Sequence, residues 1–231
     1  MVQPFPEGTL AGMLLRPNGD SVLCIGQASH AWISGQMARA WTDPFERREE
    51  VCLAAEQHDV GMAEWDLAPS LNPETGWPHS FTEMPFAVHS GLWLEGPQKL
   101  ITTSAYAAAL VSLHGSRLYE MRERTPAVDE FLRAQDELRS GLGFTRADLE
   151  PASTLVWIWD YLSLALILGW EGRVEGISVA GGRVSPWPFR EPRVTFRCEG
   201  RRLGGRFREE GAMRTALAAA PVEPVVVQLA A

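Results

Sequence analysis

The stretch from Ala152 to Leu168 leaves the chain few ways to fold. It contains neither glycine nor proline, is apolar on almost every side, and stops at Gly169. A helix with no polar face has to be wrapped by other elements, so this segment is expected at the centre of the molecule. The apolar run from Leu155 to Trp170 is shorter than a bilayer requires and carries Asp160 in its middle. A buried carboxylate without a partner is costly. The rest of the fold must therefore bring Asp160 a cation or a donor, and Arg117, a Tyr or Trp, or a metal ion would each serve.

Helical periodicity marks the wrapping elements. A first helix starts near Ser29, with His30, Ile33, Met37 and Trp41 on one face, and ends at Thr42-Asp43-Pro44. A second is expected over Glu49–Met62, its apolar face formed by Val51, Cys52, Ala55 and Met62, with His58 and Asp59 beside that face. A third begins at Phe86 and carries His89 and Trp93, with a break expected at Gly96-Pro97. Tyr106 to Arg122 and Pro126 to Arg139 follow; Pro126 and Pro151 read as first-turn residues. Between the second and third helices, Asp66 to Pro85 holds four prolines together with Trp77, His79 and Phe81. It reads as a lid or binding loop. Strand signals are confined to the ends. Pro17-Asn18-Gly19-Asp20 between two apolar runs predicts a hairpin over residues 12–27. Val174–Val179, Val194–Cys198 and Val225–Leu229 predict short strands.

Charge and cysteines narrow the function classes. A net charge of −8 excludes a general nucleic-acid binder but leaves room for a small anionic substrate held by one or two arginines. The three cysteines, Cys24, Cys52 and Cys198, are far apart and form no C-x-x-C pair, which excludes zinc ribbons and dithiol chemistry. No secretory signal is evident, so a cytoplasmic protein without membrane attachment is expected.

Four of the five histidines fall on inward helix faces: His30, His58, His89 and His114. Asp59 accompanies the second, and Asp160 comes from the central helix. Imidazoles and carboxylates converging inside a helix bundle can hold one or two metal ions. A nitrogen and carboxylate set without thiolate suits Fe, Mn, Zn, Ni or Co.

The order His30, His58-Asp59, His89, His114, Asp160 resembles the signature of the HD-domain superfamily of metal-dependent phosphohydrolases. Successive histidines are 28, 31 and 25 residues apart, and Asp160 follows His114 by 46. The likeness covers about residues 20–170, and the whole chain resembles an uncharacterised bacterial branch of that superfamily. It implies a mainly α fold: an HD-type helical bundle over residues 1–171, with a small antiparallel β appendage made from the N-terminal hairpin and the strands of 172–231. It also implies that His30, His58, Asp59 and Asp160 hold a first divalent ion, and that His89 and His114 hold a second with Asp59 bridging. Beside the resemblance, Asp59 and Arg117 are candidates for catalytic roles; Arg117 is expected either to bind the phosphate of a small substrate or to pair with Glu120 or Asp160, and His79 either to donate to substrate from the loop or to be solvated. Met62 stands after Gly61 where several phosphodiesterase branches have lysine, and no Gly-Tyr-Pro motif is present, which argues against cyclic-dinucleotide hydrolysis. A mixed-valent diiron oxygenase and a non-catalytic metal-stabilised binding module share the same ligand list. A homodimer is compatible with all three.

Overall fold

The structure, a computed structural model, describes residues 13–231. The predicted hairpin forms: β1 (Leu14–Asn18) and β2 (Ser21–Ile25) pair antiparallel with Asn18 opposite Ser21. Gly19 sits in the turn at a φ of 59°, a left-handed conformation that glycine adopts without strain. Then come α1 (Gln27–Ala40), α2 (Arg48–Gln57), a 3-10 turn at Val60–Met62 and the short α3 (Ala63–Leu67). The two-residue strands β3 (Leu71–Asn72) and β4 (Trp77–Pro78) precede α4 (Phe86–Gln98), α5 (Ala105–Glu120), α6 (Pro126–Gly141) and α7 (Arg146–Leu168). The C-terminal part holds β5 (Gly172–Val174), β6 (Ile177–Ala180), β7 (Arg183–Ser185), β8 (Arg193–Gly204), α8 (Glu210–Ala219) and β9 (Val222–Ala230).

The expectation of a mainly α bundle with a small β appendage is overturned. Half of the described residues are helical, but 22% are strand, arranged in three sheets. The largest sheet has the order β1-β2-β8-β9, and β8 alone runs for 12 residues. Arg197, Arg201 and Arg202 interrupt the apolar positions of that strand, so its sequence signal reached only from 194 to 198. The sheet is also no appendage. Leu14, Leu23, Ile25, Phe196, Cys198, Val225 and Leu229 share one buried core with Ile33, Ala55, Leu113 and Trp159 of the helices. On its other face, Val22, Cys24 and Leu203 pack on Met213 and Leu217 of α8 and on Trp77.

The sheet fixes the position of α1. β2 pairs only with Gly200–Gly204 of β8, so the preceding residues of β8 present an unpaired edge on that side. Side chains of α1 close it. The Ser29 hydroxyl donates to the Glu199 carbonyl at 2.8 Å and accepts the Glu199 N–H at 3.0 Å. The Gln36 amide does the same for Arg197, at 2.7 and 3.0 Å. Strand edges need such partners when no neighbouring strand supplies them.

Three local expectations also change. α7 begins at Arg146 rather than Ala152, because Thr145 and Asp148 form a capping box there, and Pro151 lies inside the helix. This helix is long and apolar enough to cross a membrane, but 72% of that window is buried inside the protein, and it serves as the core helix. α4 continues through Gly96-Pro97 to Gln98. The segment 66–85 is no open lid. Asn72 accepts the N–H groups of Glu74 and Thr75 and donates to Glu83, and Arg214 and Glu210 of α8 bond the backbone of Pro69 and Leu71.

Candidate metal centre

Close helix crossings bring the candidate ligands together. Gly35 lets α1 press on α2: a Cβ there would stand 2.6 Å from the Glu56 Cβ. His30, five residues earlier in the buried part of α1, reaches the end of α2, its ring centroid 5.1 Å from that of His58. α2 stops at Gln57, short of the expected Met62. His58 keeps helical angles, Asp59 turns out at φ −100° and ψ 19°, and the Met62 N–H closes the turn on the Asp59 carbonyl at 2.9 Å. The 3-10 turn can sit against α4 because residue 61 is glycine; a Cβ would lie 2.2 Å from the Leu92 carbonyl oxygen.

At this point four of the expected ligands converge. His30, His58 and Asp160 each offer one ligand atom, and these atoms all lie within 4.8 Å of one another. Asp59 Oδ2 lies 2.6 Å from His30 Nε2 and 3.4 Å from His58 Nε2, and Asp160 Oδ1 lies 3.4 Å from His58 Nε2. All four side chains are buried.

The hydrogen bonds around the two imidazoles show what belongs between them. His58 Nδ1 is 2.8 Å from the Ala55 carbonyl oxygen, which can only accept, so Nδ1 carries the hydrogen. Nε2 of the neutral ring is then a lone pair, buried, without a hydrogen-bond partner among the described residues, and facing two carboxylates. Lone pair against carboxylate is repulsive unless a positive charge stands between them. His30 is held in a similar way at its outer nitrogen, with Nδ1 2.9 Å from the Ser163 hydroxyl, which donates onward to the Asp160 carbonyl at 2.8 Å and accepts from Ser34, but its Nε2 is in hydrogen-bond contact with Asp59 Oδ2 at 2.6 Å. An N–H held on the outer ring nitrogen turns the inner one toward the cluster, as metal-binding histidines are turned. The donor set thus fits a divalent ion.

Without a metal, protons fill that role. Burial works against a charged His58, but the neighbouring Asp59 and Asp160 outweigh it and raise its pKa well above the ordinary value. Burial likewise opposes charge on the two carboxylates. The His58 and His30 contacts hold Asp59 well below the usual carboxylate range, and the His114 and His58 contacts do the same for Asp160.

The remaining expected ligands lie differently. His114 Nε2 is 3.3 Å from Asp160 Oδ2, the second oxygen of that carboxylate; its ring lies against that of His58, with centroids 4.9 Å apart, and is flanked by Trp93 and Trp157 at 5.6 and 5.4 Å. His114 Nδ1 is buried without a hydrogen-bond partner among the described residues, and burial lowers the pKa of the ring. His89 does not join the cluster. Its Nε2 accepts the Trp93 indole N–H at 2.9 Å and its Nδ1 lies 2.5 Å from the Tyr119 hydroxyl, so both nitrogens are engaged. Burial, with help from Arg122, pushes its pKa down to about 3. Gly115 makes room for the Trp93 ring, which would otherwise stand 2.7 Å from a Cβ.

Arg117 stacks over the Trp157 ring at 5.1 Å. Its guanidinium reaches the Ser153 and Thr154 hydroxyls only at 3.4 Å and the Glu150 and Glu175 carboxylates only at 3.9 Å, which leaves donors weakly used. His79 pairs with Glu83 at 3.4 Å in the pinned segment. Sequence reading missed Ser163, Ser34, Trp93 and Tyr119 as supports of the site. Ser163 and Ser34 stand three and four residues after Asp160 and His30 on the same helix faces, and Trp93 stands four after His89. Polar or indole groups at that spacing from a candidate ligand are the signal that could have found them.

Comparison with curated proteins and with solved structures finds no significant match. A family model described as "Protein of unknown function (DUF3891)" matches residues 13–204, from the first hairpin through the central helix to the end of β8. The match takes in all the ligands described above and leaves out α8 and β9, and on its extent the chain belongs to the DUF3891 family.

Proposed function

We propose that the chain is a metal-dependent phosphohydrolase of the HD type, acting on a small anionic phosphoester. The observation that carries this reading is the buried lone pair of His58 Nε2, set among His30, Asp59 and Asp160 at distances that call for a cation. His30, His58, Asp59 and Asp160 would hold that ion. Fe, Mn, Co, Ni and Zn all suit such a set. When bound, the ion supplies a water acidified toward neutral pH and a Lewis acid for a phosphoryl oxygen.

The chain's own residues do the rest. Ser163 and the Ala55 carbonyl hold the two imidazoles in the tautomer that turns Nε2 inward. Asp59, with one oxygen close to both rings, is placed to take a proton from the attacking water. Arg117, one turn beyond His114, has guanidinium donors to offer a phosphate. His89 is held by Trp93 and Tyr119, which favours a single ion over the dinuclear arrangement that the family likeness implies.

The test is metal analysis of protein purified without added metal, followed by hydrolysis of a generic phosphoester with Mn(II) or Co(II). One equivalent of metal and activity that is lost in Asp59→Asn are expected. Protein that takes up no metal, or hydrolysis unaffected by Asp59→Asn, would sink the proposal. Arg117→Ala should lower kcat/KM about 10–100-fold, in line with loss of a charged hydrogen bond to substrate, while leaving metal content unchanged.

A further inference from the structure

Asp66 is a half-buried acid with a shielded carboxyl group that the proposed chemistry does not use. Both carboxyl oxygens are shielded from solvent, and neither reaches full hydrogen-bond geometry with a described residue. The carboxyl lies against Gly26: a Cβ on that residue would stand 2.7 Å from Asp66 Oδ2. The backbone N–H groups of Gln27 and Ala28 are directed at it.

Those two N–H groups open α1, and the helix brings no cap of its own. Gly26 precedes it without a side chain, and its first turn holds no acid. The first N–H groups of a helix need an acceptor. Here a carboxyl from α3, which follows the His58-Asp59 turn, stands against that end of the helix. The Ser29 and His30 N–H groups both bond the Gly26 carbonyl, at 3.0 and 3.1 Å, so His30 belongs to the turn that Asp66 faces. Asp66 therefore lies where the segment that bears His58 and Asp59 meets the helix that bears His30.

We propose that Asp66 is a positioning residue for the metal centre: by capping α1 from α3 it sets the spacing between His30 and the His58-Asp59 pair. This rests on the metal-binding reading above. Burial pushes the Asp66 carboxyl well above the usual carboxylate range, and the nearby Asp59 charge acts in the same direction while the two N–H groups oppose it. What α1 requires from this position is an acceptor oxygen rather than a full negative charge, and asparagine supplies one.

The experiment uses Co(II) as the probe, with the wild type, Asp66→Asn, Asp66→Ala and Gly26→Ala. Affinity is measured by titration, ligand geometry by the visible d–d absorption, and folding by circular dichroism and metal-free melting. Asp66→Ala should bind Co(II) about 10–100-fold more weakly with an altered spectrum, the range typical for losing a residue that orients a ligand. Asp66→Asn should stay within about threefold of the wild type and keep its spectrum. Gly26→Ala displaces the carboxyl without removing it and should resemble Asp66→Ala, which keeps the test alive if Asp66→Ala does not fold. Folded variants that all bind Co(II) with wild-type affinity and spectrum would overturn the inference alone. A wild type that binds no Co(II) would overturn the metal reading and this inference with it.

Discussion

The most discriminating perturbation is His89→Gln, because it separates a neutral packing histidine from a metal ligand. In the folded protein His89 is buried against Trp93 and Tyr119, and its pKa falls to about 3. In the unfolded chain it titrates near 6.5. The unfolded state therefore binds a proton that the folded state refuses. The stability this residue contributes is fully present above pH 6.5 and is lost as pH falls from there toward 3. From pH 8 to pH 5 the loss comes to about 2 kcal/mol, at 1.36 kcal/mol for each of the ~1.5 units below 6.5. Glutamine does not titrate. Its carbonyl oxygen can still accept from the Trp93 indole, but the Tyr119 hydroxyl loses its partner at a cost of about 1–3 kcal/mol.

Metal-free wild type and His89→Gln are compared by urea unfolding at pH 8 and pH 5. The variant should be less stable at pH 8 by about 1–3 kcal/mol, and the gap should narrow by about 2 kcal/mol at pH 5. Other titrating groups are common to both proteins and cancel in the difference. Bound metal per chain should be the same in both. Parallel loss of stability in the two proteins would refute the buried neutral histidine. Loss of one metal equivalent in the variant would show that His89 is a ligand.

The remaining predictions concern the centre and its frame. Asp160→Ala removes the carboxylate shared by His58 and His114 and should abolish metal uptake; the stabilisation of about 2.7 kcal/mol that a ligand at 100 times its Kd confers on the wild type, read as a rise in Tm with Mn(II), should vanish. Gly61→Ala puts a methyl group 2.2 Å from a backbone carbonyl that belongs to a helix and cannot swing aside, so a loss of about 3 kcal/mol in urea unfolding is expected, at the upper end for overpacking. An undiminished ΔG would show that the 3-10 turn and α4 are not in close contact.

The sequence was most informative where a local pattern carried the information. His30, His58, Asp59 and Asp160 could be named because each sits on a periodic apolar face, and an acid in the middle of Ala152–Leu168 demands a partner. The hairpin at Asn18-Gly19-Asp20 was legible from its turn residues alone. His89 satisfies the same pattern, yet the indole four residues along its own helix occupies the nitrogen that a metal would need. Face and spacing say which way a residue points, and they do not say which neighbour reaches it first. The strand β8 was underestimated for a related reason. Its pairing partners are more than 150 residues away on β2 and about 30 away on β9, so its length was set by contacts that no window of local sequence contains.

The corrected fold changes how the centre is understood. In a pure helix bundle, α1 would be located by helix packing alone, and the β region could be removed without consequence for His30. Here α1 is held from two directions. On one side Gly35 sits against Glu56, and the Asp66 carboxyl lies against Gly26 at its start; on the other, Ser29 and Gln36 occupy the unpaired edge of β8. Ser29 immediately precedes His30, so the hydroxyl that completes the sheet edge and the imidazole that faces Asp59 leave the same helical turn in different directions. A shift of β8 is thereby transmitted to His30 through a single peptide unit. Sites that must hold ligands within about half an ångström are built on elements fixed in this way, from more than one side. The four-stranded sheet is therefore part of the scaffold of the His30-His58-Asp160 cluster.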